Sequence, residues 1–180
     1  MKTDRKKHLI MIGFMGAGKT SVGIYYAGRH GIPVVDTDQL IEMTTGMSVS
    51  DIFARSGEEE FRKKETQMLK YLLDTDDKEF VRTVISVGGG LPMRPENREL
   101  LKRLGTVIYL KVKPETVLER LKGDTTRPLL AGSDAKEKVE KLLAYREPFY
   151  MEASHGVVDT DGKDFEHIVE EIEELEQHLD

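Results

Sequence analysis

Short apolar runs alternate with amphipathic stretches along most of the chain. The runs fall at 8–12, 32–35, 84–87, 107–110 and 157–158, and most are β-branched and continuous rather than alternating. That is the pattern of strands buried on both faces. Between them the spacing of apolar residues predicts helices over 19–30, 38–45, 48–74, 95–104, 114–122, 135–153 and 164–179. Pro95 and Pro114 stand where a first helical turn begins, a position that wastes no amide hydrogen. In the last helix Phe165, Ile168, Val169, Ile172, Leu175 and Leu179 recur at helical intervals, which marks a packing face. Strands separated by helices predict right-handed crossovers. The expected fold is therefore a three-layer α/β domain, a parallel sheet with helices on both faces. One stretch, GDTTRPLLAGSD at 123–134, has no clear period and reads as a mobile flap between two helices. No repeat, linker or domain boundary appears, so residues 1–180 read as one domain.

Composition narrows the function. A formal net charge of −6 argues against a duplex-binding protein, since phosphate backbones reward clustered positive charge. No apolar stretch is long enough to span a bilayer. The basic N-terminal MKTDRKKH is followed by only a short apolar run before glycines intervene. It is no secretory signal, and a cytoplasmic protein without membrane or nucleic-acid partners is expected. The absence of cysteine excludes disulfides, zinc–thiolate sites and thiol nucleophiles. The five histidines (8, 30, 155, 167 and 178) show no ligand spacing and read as surface or packing residues.

Residues 13–20, GFMGAGKT, fit the phosphate-binding pattern G-x-x-x-x-G-K-[ST], placed between a strand and a helix as its mechanism demands. Glycines let successive amides turn inward toward phosphate oxygens, and the helix N-terminus adds positive potential. Lys19 would reach the β- and γ-phosphates and the Thr20 hydroxyl would bind Mg²⁺. A guanine-reading N-K-x-D is absent, the only asparagine being Asn97. The D-x-x-G at 159–162 lies too near the C-terminus for a switch region. No apolar strand ends in Asp-Glu as a motor ATPase requires. A small-molecule kinase remains.

Asp36 and Asp38 lie two residues apart at the end of the second run. If the chain is still extended there, both face the crevice at the carboxyl end of the sheet. Asp36 then suits Mg²⁺, through a water, and Asp38 suits proton acceptance from an attacking hydroxyl. Alternatively, either aspartate caps the next helix. In FRKKE, Arg62 and Glu65 are i, i+3 neighbours, either a surface pair or a carboxylate orienting a guanidinium toward a bound anion. Three glycines, Gly88, Gly89 and Gly90, end the third run, where either a tight turn or close approach of a ligand would call for them.

Taken in order, GFMGAGKT, DTD, FRKKE, GGG, RPLL and YREPFY resemble a shikimate kinase from about residue 8 to about residue 160. The resemblance implies a five-stranded parallel sheet of order 2-3-1-4-5 and transfer of the γ-phosphate of ATP to the 3-hydroxyl of shikimate, with Mg²⁺. That reaction lies on the route to chorismate and the aromatic amino acids. It further implies that Gly16, Ala17, Gly18, Lys19, Thr20 and Ser21 hold the phosphates, and that Thr20 and Asp36 serve the metal. Asp38 binds the shikimate hydroxyls and acts as, or near, the base. Arg62 and Arg146 grip the carboxylate with the Gly88–Gly90 backbone, chiefly Gly89. Arg127 swings over the phosphates and Arg120 lies against adenine. Members of the family are usually monomers. Where many carry an arginine near the adenine, this chain has Lys163. Taken singly, Arg120, Arg127 and Arg146 would read as solvated surface residues. The nearest alternative is a gluconate kinase or another sugar-acid kinase of the same fold, against which the glycine triplet and Arg62 favour shikimate. A catalytically idle nucleotide-binding regulator is a second alternative, against which Lys19, Asp38 and Arg127 speak.

Overall fold

The computed structural model describes residues 8–76 and 81–179. The basic stretch at 1–7, where the sequence predicts no secretory signal, lies outside the described residues. Five strands form one sheet: β1 (His8–Ile12), β2 (Val34–Asp36), β3 (Val84–Ser86), β4 (Gly105–Lys111) and β5 (Gly156–Asp159). All pairings are parallel, as the residue pattern predicts, and the order is β2-β3-β1-β4-β5, as the family resemblance implies. β1 is central and every one of its residues is buried, which explains its unbroken apolar run. The edge strands are less covered: all of β2 is half-buried, and in β5 only Val158 is fully buried.

Helices α1 (Lys19–His30), α2 (Thr37–Thr45), α3 (Val49–Asp76), α4 (Pro95–Leu104), α5 (Pro114–Arg120), α6 (Ala135–Ala153) and α7 (Phe165–Leu179) complete the layers. Pro95 and Pro114 do begin α4 and α5. α3 departs from expectation, since Gly57 adopts φ 80 and ψ 170 and breaks it into two helical pieces. Only glycine enters that region readily, so the break is written into the residue and not into the hydrophobic period. Its second piece carries Arg62 and Glu65 toward the end of β3. The segment 123–134 is mostly irregular, with one short 3-10 turn at Pro128–Leu130.

Asn97 is fully buried in α4. Its Nδ2 donates to the Leu91 carbonyl at 2.9 Å and its Oδ1 accepts from Thr66 Oγ1 at 2.7 Å. The one asparagine of the chain thus ties the turn after the glycine triplet to α3 and α4. No helix among the described residues is long and apolar enough to cross a membrane.

Candidate active site

The carboxyl ends of β1, β2 and β3 open into a cavity of about 260 Å³, where ligands of open α/β sheets bind. On one side lies the glycine loop. Gly16 (φ 76) and Gly18 (φ 89) are left-handed, and Gly18 precedes α1 with no side-chain cap, so the first amides of the helix are left for a ligand. Lys19 Nζ folds back onto this loop, donating to the carbonyls of Gly13 at 2.8 Å and Phe14 at 3.0 Å. Burial draws its pKa down to about 8, against the pull of Asp38 and Asp36.

Thr20 Oγ1 donates to Asp36 Oδ2 at 3.2 Å. The other oxygen of Asp36 accepts the N–H groups of Asp38 at 2.9 Å and Gln39 at 3.3 Å, capping α2. That cap turns the chain early. The sequence expectation that Asp36 and Asp38 share an extended segment is therefore corrected: Asp36 ends β2, while Asp38 sits in the first turn of α2. Both still line the cavity.

Opposite the glycine loop stands a cup built around Gly88–Gly90. A Cβ on Gly88 would lie 2.8 Å from Asp38 Oδ1 and 3.1 Å from Glu65 Oε1. On Gly89 it would lie 3.3 Å from both Arg146 Nη1 and the Gly13 carbonyl, and on Gly90 it would collide with the Arg62 guanidinium. Side chains from three helices press on three successive Cα atoms, so close approach, rather than a turn alone, requires glycine here. Arg62 Nη1 donates to Glu65 Oε2 at 2.7 Å and Nη2 to the exposed Glu58 at 3.1 Å. Glu65 itself is 0 % exposed, so the Arg62–Glu65 pair is an interior one. The guanidinium of Arg146 lies 5.7 Å over the ring of Phe14, inside the glycine loop.

Two carboxylate oxygens in this cup, Asp38 Oδ1 and Glu65 Oε1, are buried without a partner. Burial foremost, and then Asp36, raises the Asp38 carboxyl to about 6, while Lys19 and Arg62 oppose the shift. Burial raises Glu65 to about 7 against the charge of Arg62, with Asp38 adding to the rise. Orphaned buried acceptors are costly, and hydroxyl donors would relieve them.

Arg127 is exposed, lines the same cavity, and donates from Nε to Asp124 Oδ2 at 3.2 Å. A second cavity of about 410 Å³ adjoins the first, with Gly18 and Ser21 lining both. Ala17, Arg120, Lys163 and Phe165 also line it. Arg120 donates to the Gly16 carbonyl at 2.8 Å and to the Thr160 carbonyl at 3.2 Å, tying the glycine loop to the turn after β5. Lys163 pairs with Glu171 at 2.6 Å. Most residues singled out in the sequence thus line these two adjoining cavities, whereas Arg62, Gly90 and Arg146 line neither and meet instead around the glycine triplet. The structure also adds Phe14, Thr37, whose Oγ1 accepts the Gly88 N–H at 3.4 Å, and Tyr150. Phe14 had a sequence signal, a bulky residue within a glycine loop. Tyr150 had one too, standing one helical turn after Arg146. Thr37 had none beyond its place between two aspartates.

The histidines pack or sit on the surface. His8, for example, bonds Asp76 at 2.8 Å, and His155 accepts the Val107 N–H at 2.9 Å. Among the described residues no group of three or more His, Cys, Asp or Glu is placed to hold a metal.

Comparison with known proteins gives a consistent result. The family model "Shikimate kinase" matches residues 15–176. The shikimate kinase of Symbiobacterium thermophilum is 43% identical over 169 residues, covering 93% of this chain and 94% of that protein. The crystal structure of a shikimate kinase from Acinetobacter baumannii in complex with shikimate superposes with a TM-score of 0.88 at 34% identity, covering 98% of this chain and 96% of that one. A gluconokinase from Sinorhizobium meliloti superposes at a TM-score of only 0.53 and 16% identity over 97% of this chain and 95% of its own, a likeness of fold alone.

Proposed function

The chain belongs to the shikimate kinase family, and from that premise we propose how its residues move the terminal phosphoryl group of ATP to the 3-hydroxyl of shikimate. The observation that carries this assignment is the asymmetry of the cup. The unpartnered carboxylate oxygens of Asp38 and Glu65 face Gly88, while the guanidinium groups of Arg146 and of Arg62, itself paired with Glu65, face Gly89 and Gly90. Shikimate has the matching polarity, hydroxyls at one end of a small ring and a carboxylate at the other.

ATP binding replaces the internal bonds of the glycine loop. Lys19 exchanges the Gly13 and Phe14 carbonyls for phosphate oxygens, and the amides from Gly16 to Ser21 take the rest, Ala17 giving up its bond to the Phe14 carbonyl. Arg120 and Lys163 border the second cavity, which takes the adenine. Arg62, Arg146 and, from the Gly88–Gly90 backbone, the N–H groups of Gly89 and Gly90 hold the shikimate carboxylate, so that the hydroxyl end meets Asp38. With its pKa raised to about 6, Asp38 is ionised at neutral pH yet basic enough to accept the proton as the hydroxyl attacks. Arg127, on the flap at 123–134, closes over the phosphates, stabilises their spreading charge and excludes water. The Thr20 hydroxyl and Asp36 carboxylate form a pair of hard oxygen donors that fits Mg²⁺. The bound ion would supply charge neutralisation at the phosphates.

The protein would act as a monomer in the cytoplasm, since one chain supplies both cavities and no cysteine is present. An enzyme-linked ADP-release assay offering shikimate, gluconate and AMP in turn tests the assignment. Turnover with shikimate at least about a hundredfold above the others is expected. Turnover with gluconate but not shikimate would overturn it.

A further inference from the structure

Gly88–Gly90 supply no side chains, and glycine restrains its own backbone least of all residues. Something else must fix the direction of their N–H groups. The first peptide is held locally, because the Gly88 carbonyl accepts the Leu91 N–H at 3.0 Å, which sets the plane that carries the Gly89 N–H. The second is held from α6. Tyr150 Oη donates to the Gly89 carbonyl at 2.6 Å, which sets the plane that carries the Gly90 N–H. Both of these peptide bonds are trans, there being no cis peptide bond among the described residues, so each N–H points opposite its anchored carbonyl. No hydrogen bond of the described residues uses the N–H of Gly89 or Gly90.

Tyr150 is well built for this. It is 0 % exposed, and its ring rests on Tyr109 with centroids 5.1 Å apart. Its hydroxyl is buried beside Arg146, one turn earlier on the same helix, and burial raises its pKa to about 12, so it remains a donor through the physiological range. One helix thereby delivers both a guanidinium and a main-chain anchor to Gly89, whose Cα faces Arg146 Nη1 and Tyr150 Oη together.

We propose that Tyr150 is a positioning residue for the acceptor: its hydroxyl pins the Gly89–Gly90 peptide and so holds the glycine triplet in the arrangement that receives the shikimate carboxylate. This rests on the assignment above of Arg62, Arg146 and the glycine N–H groups to that carboxylate. Tyr150→Phe is the test, because it keeps the ring and its packing and removes only the hydroxyl. KM for shikimate should rise about five- to tenfold, the worth of one buried hydrogen bond, while KM for ATP and kcat stay within about twofold. Arg146→Ala, measured alongside, should raise the shikimate KM further still. Equal rises in both KM values in Tyr150→Phe would mean a merely structural role and would overturn the proposal, as would an unchanged shikimate KM. If Arg146→Ala also leaves that KM unchanged, the carboxylate assignment itself falls. If only Tyr150→Phe is silent, the pin alone is lost.

Discussion

The two halves of the site are built on opposite plans. The phosphate side is built on one contiguous segment, whose polar groups are bonded within it or to near neighbours: Lys19 to Gly13 and Phe14, Thr20 to Asp36, and Gly16 to Arg120. The acceptor side is assembled from α2, α3, the turn after β3, and α6, and it keeps two buried carboxylate oxygens without partners. A self-satisfied loop gives up bonds when ATP arrives, so its net gain is small per contact. An under-satisfied cup gains a hydrogen bond without losing one. The difference teaches where discrimination resides. Any nucleoside triphosphate tail fits the loop, whereas the cup rewards a ligand that brings hydroxyls and an anion in fixed relation.

Three measurements would break or sharpen this contrast. Asp38→Asn keeps the shape of the cup and removes the carboxylate proposed as the base, so kcat should fall by about 10²–10⁴ while calorimetry still shows ADP binding. Near-normal turnover would remove Asp38 from the chemistry. Arg62→Ala should raise the shikimate KM on the order of a hundredfold and the ATP KM less than about threefold. Equal losses would place Arg62 outside the acceptor half. The same variant leaves Glu65 buried beside an absent cation, and a stability loss of about 3 kcal/mol is expected in urea unfolding.

A pH dependence of comparable size concerns stability alone. Glu65 is raised from 4.5 to about 7 in the fold, so the folded protein binds this proton more tightly than the unfolded chain does. Its contribution to stability is therefore full below about pH 4.5 and is lost as pH rises toward 7, by on the order of 3 kcal/mol. Asp38 acts in the same direction up to about 6. Melting temperatures of the ligand-free protein from pH 5 to 7.5 should slope downward, and Glu65→Gln should flatten that slope. An unchanged slope would mean that Glu65 is ionised throughout and that the cup is less strained than its geometry says.

The same division governs what the sequence makes legible. The phosphate loop is local, so its residue order carries its geometry, and Gly16, Lys19 and Thr20 can be assigned from spacing alone. The layers are also legible, because β1 and β4 are continuous apolar runs and the prolines of α4 and α5 mark their starts. The cup is different. Nothing in the period of α3 shows that Gly57 redirects it. The alternation rule misplaces Asp38, because the cap formed by Asp36 depends on one side-chain torsion. Arg62, Gly88–Gly90 and Arg146 become one object only through the sheet order, which periodicity does not specify and family resemblance does.

The carbonyl of Gly13 meets the Lys19 ammonium and also lies 3.3 Å from where a methyl on Gly89 would stand. In the proposed arrangement this carbonyl is a partition shared by the nucleotide and acceptor seats, beside the opening through which the phosphoryl group passes. Neither seat can be enlarged toward the other without moving the shared partition, so attempts to widen acceptor choice by remodelling residue 89 should blunt the use of ATP as well. Breadth of substrate is more safely sought on the outer walls, at α3, than at the wall between the two seats.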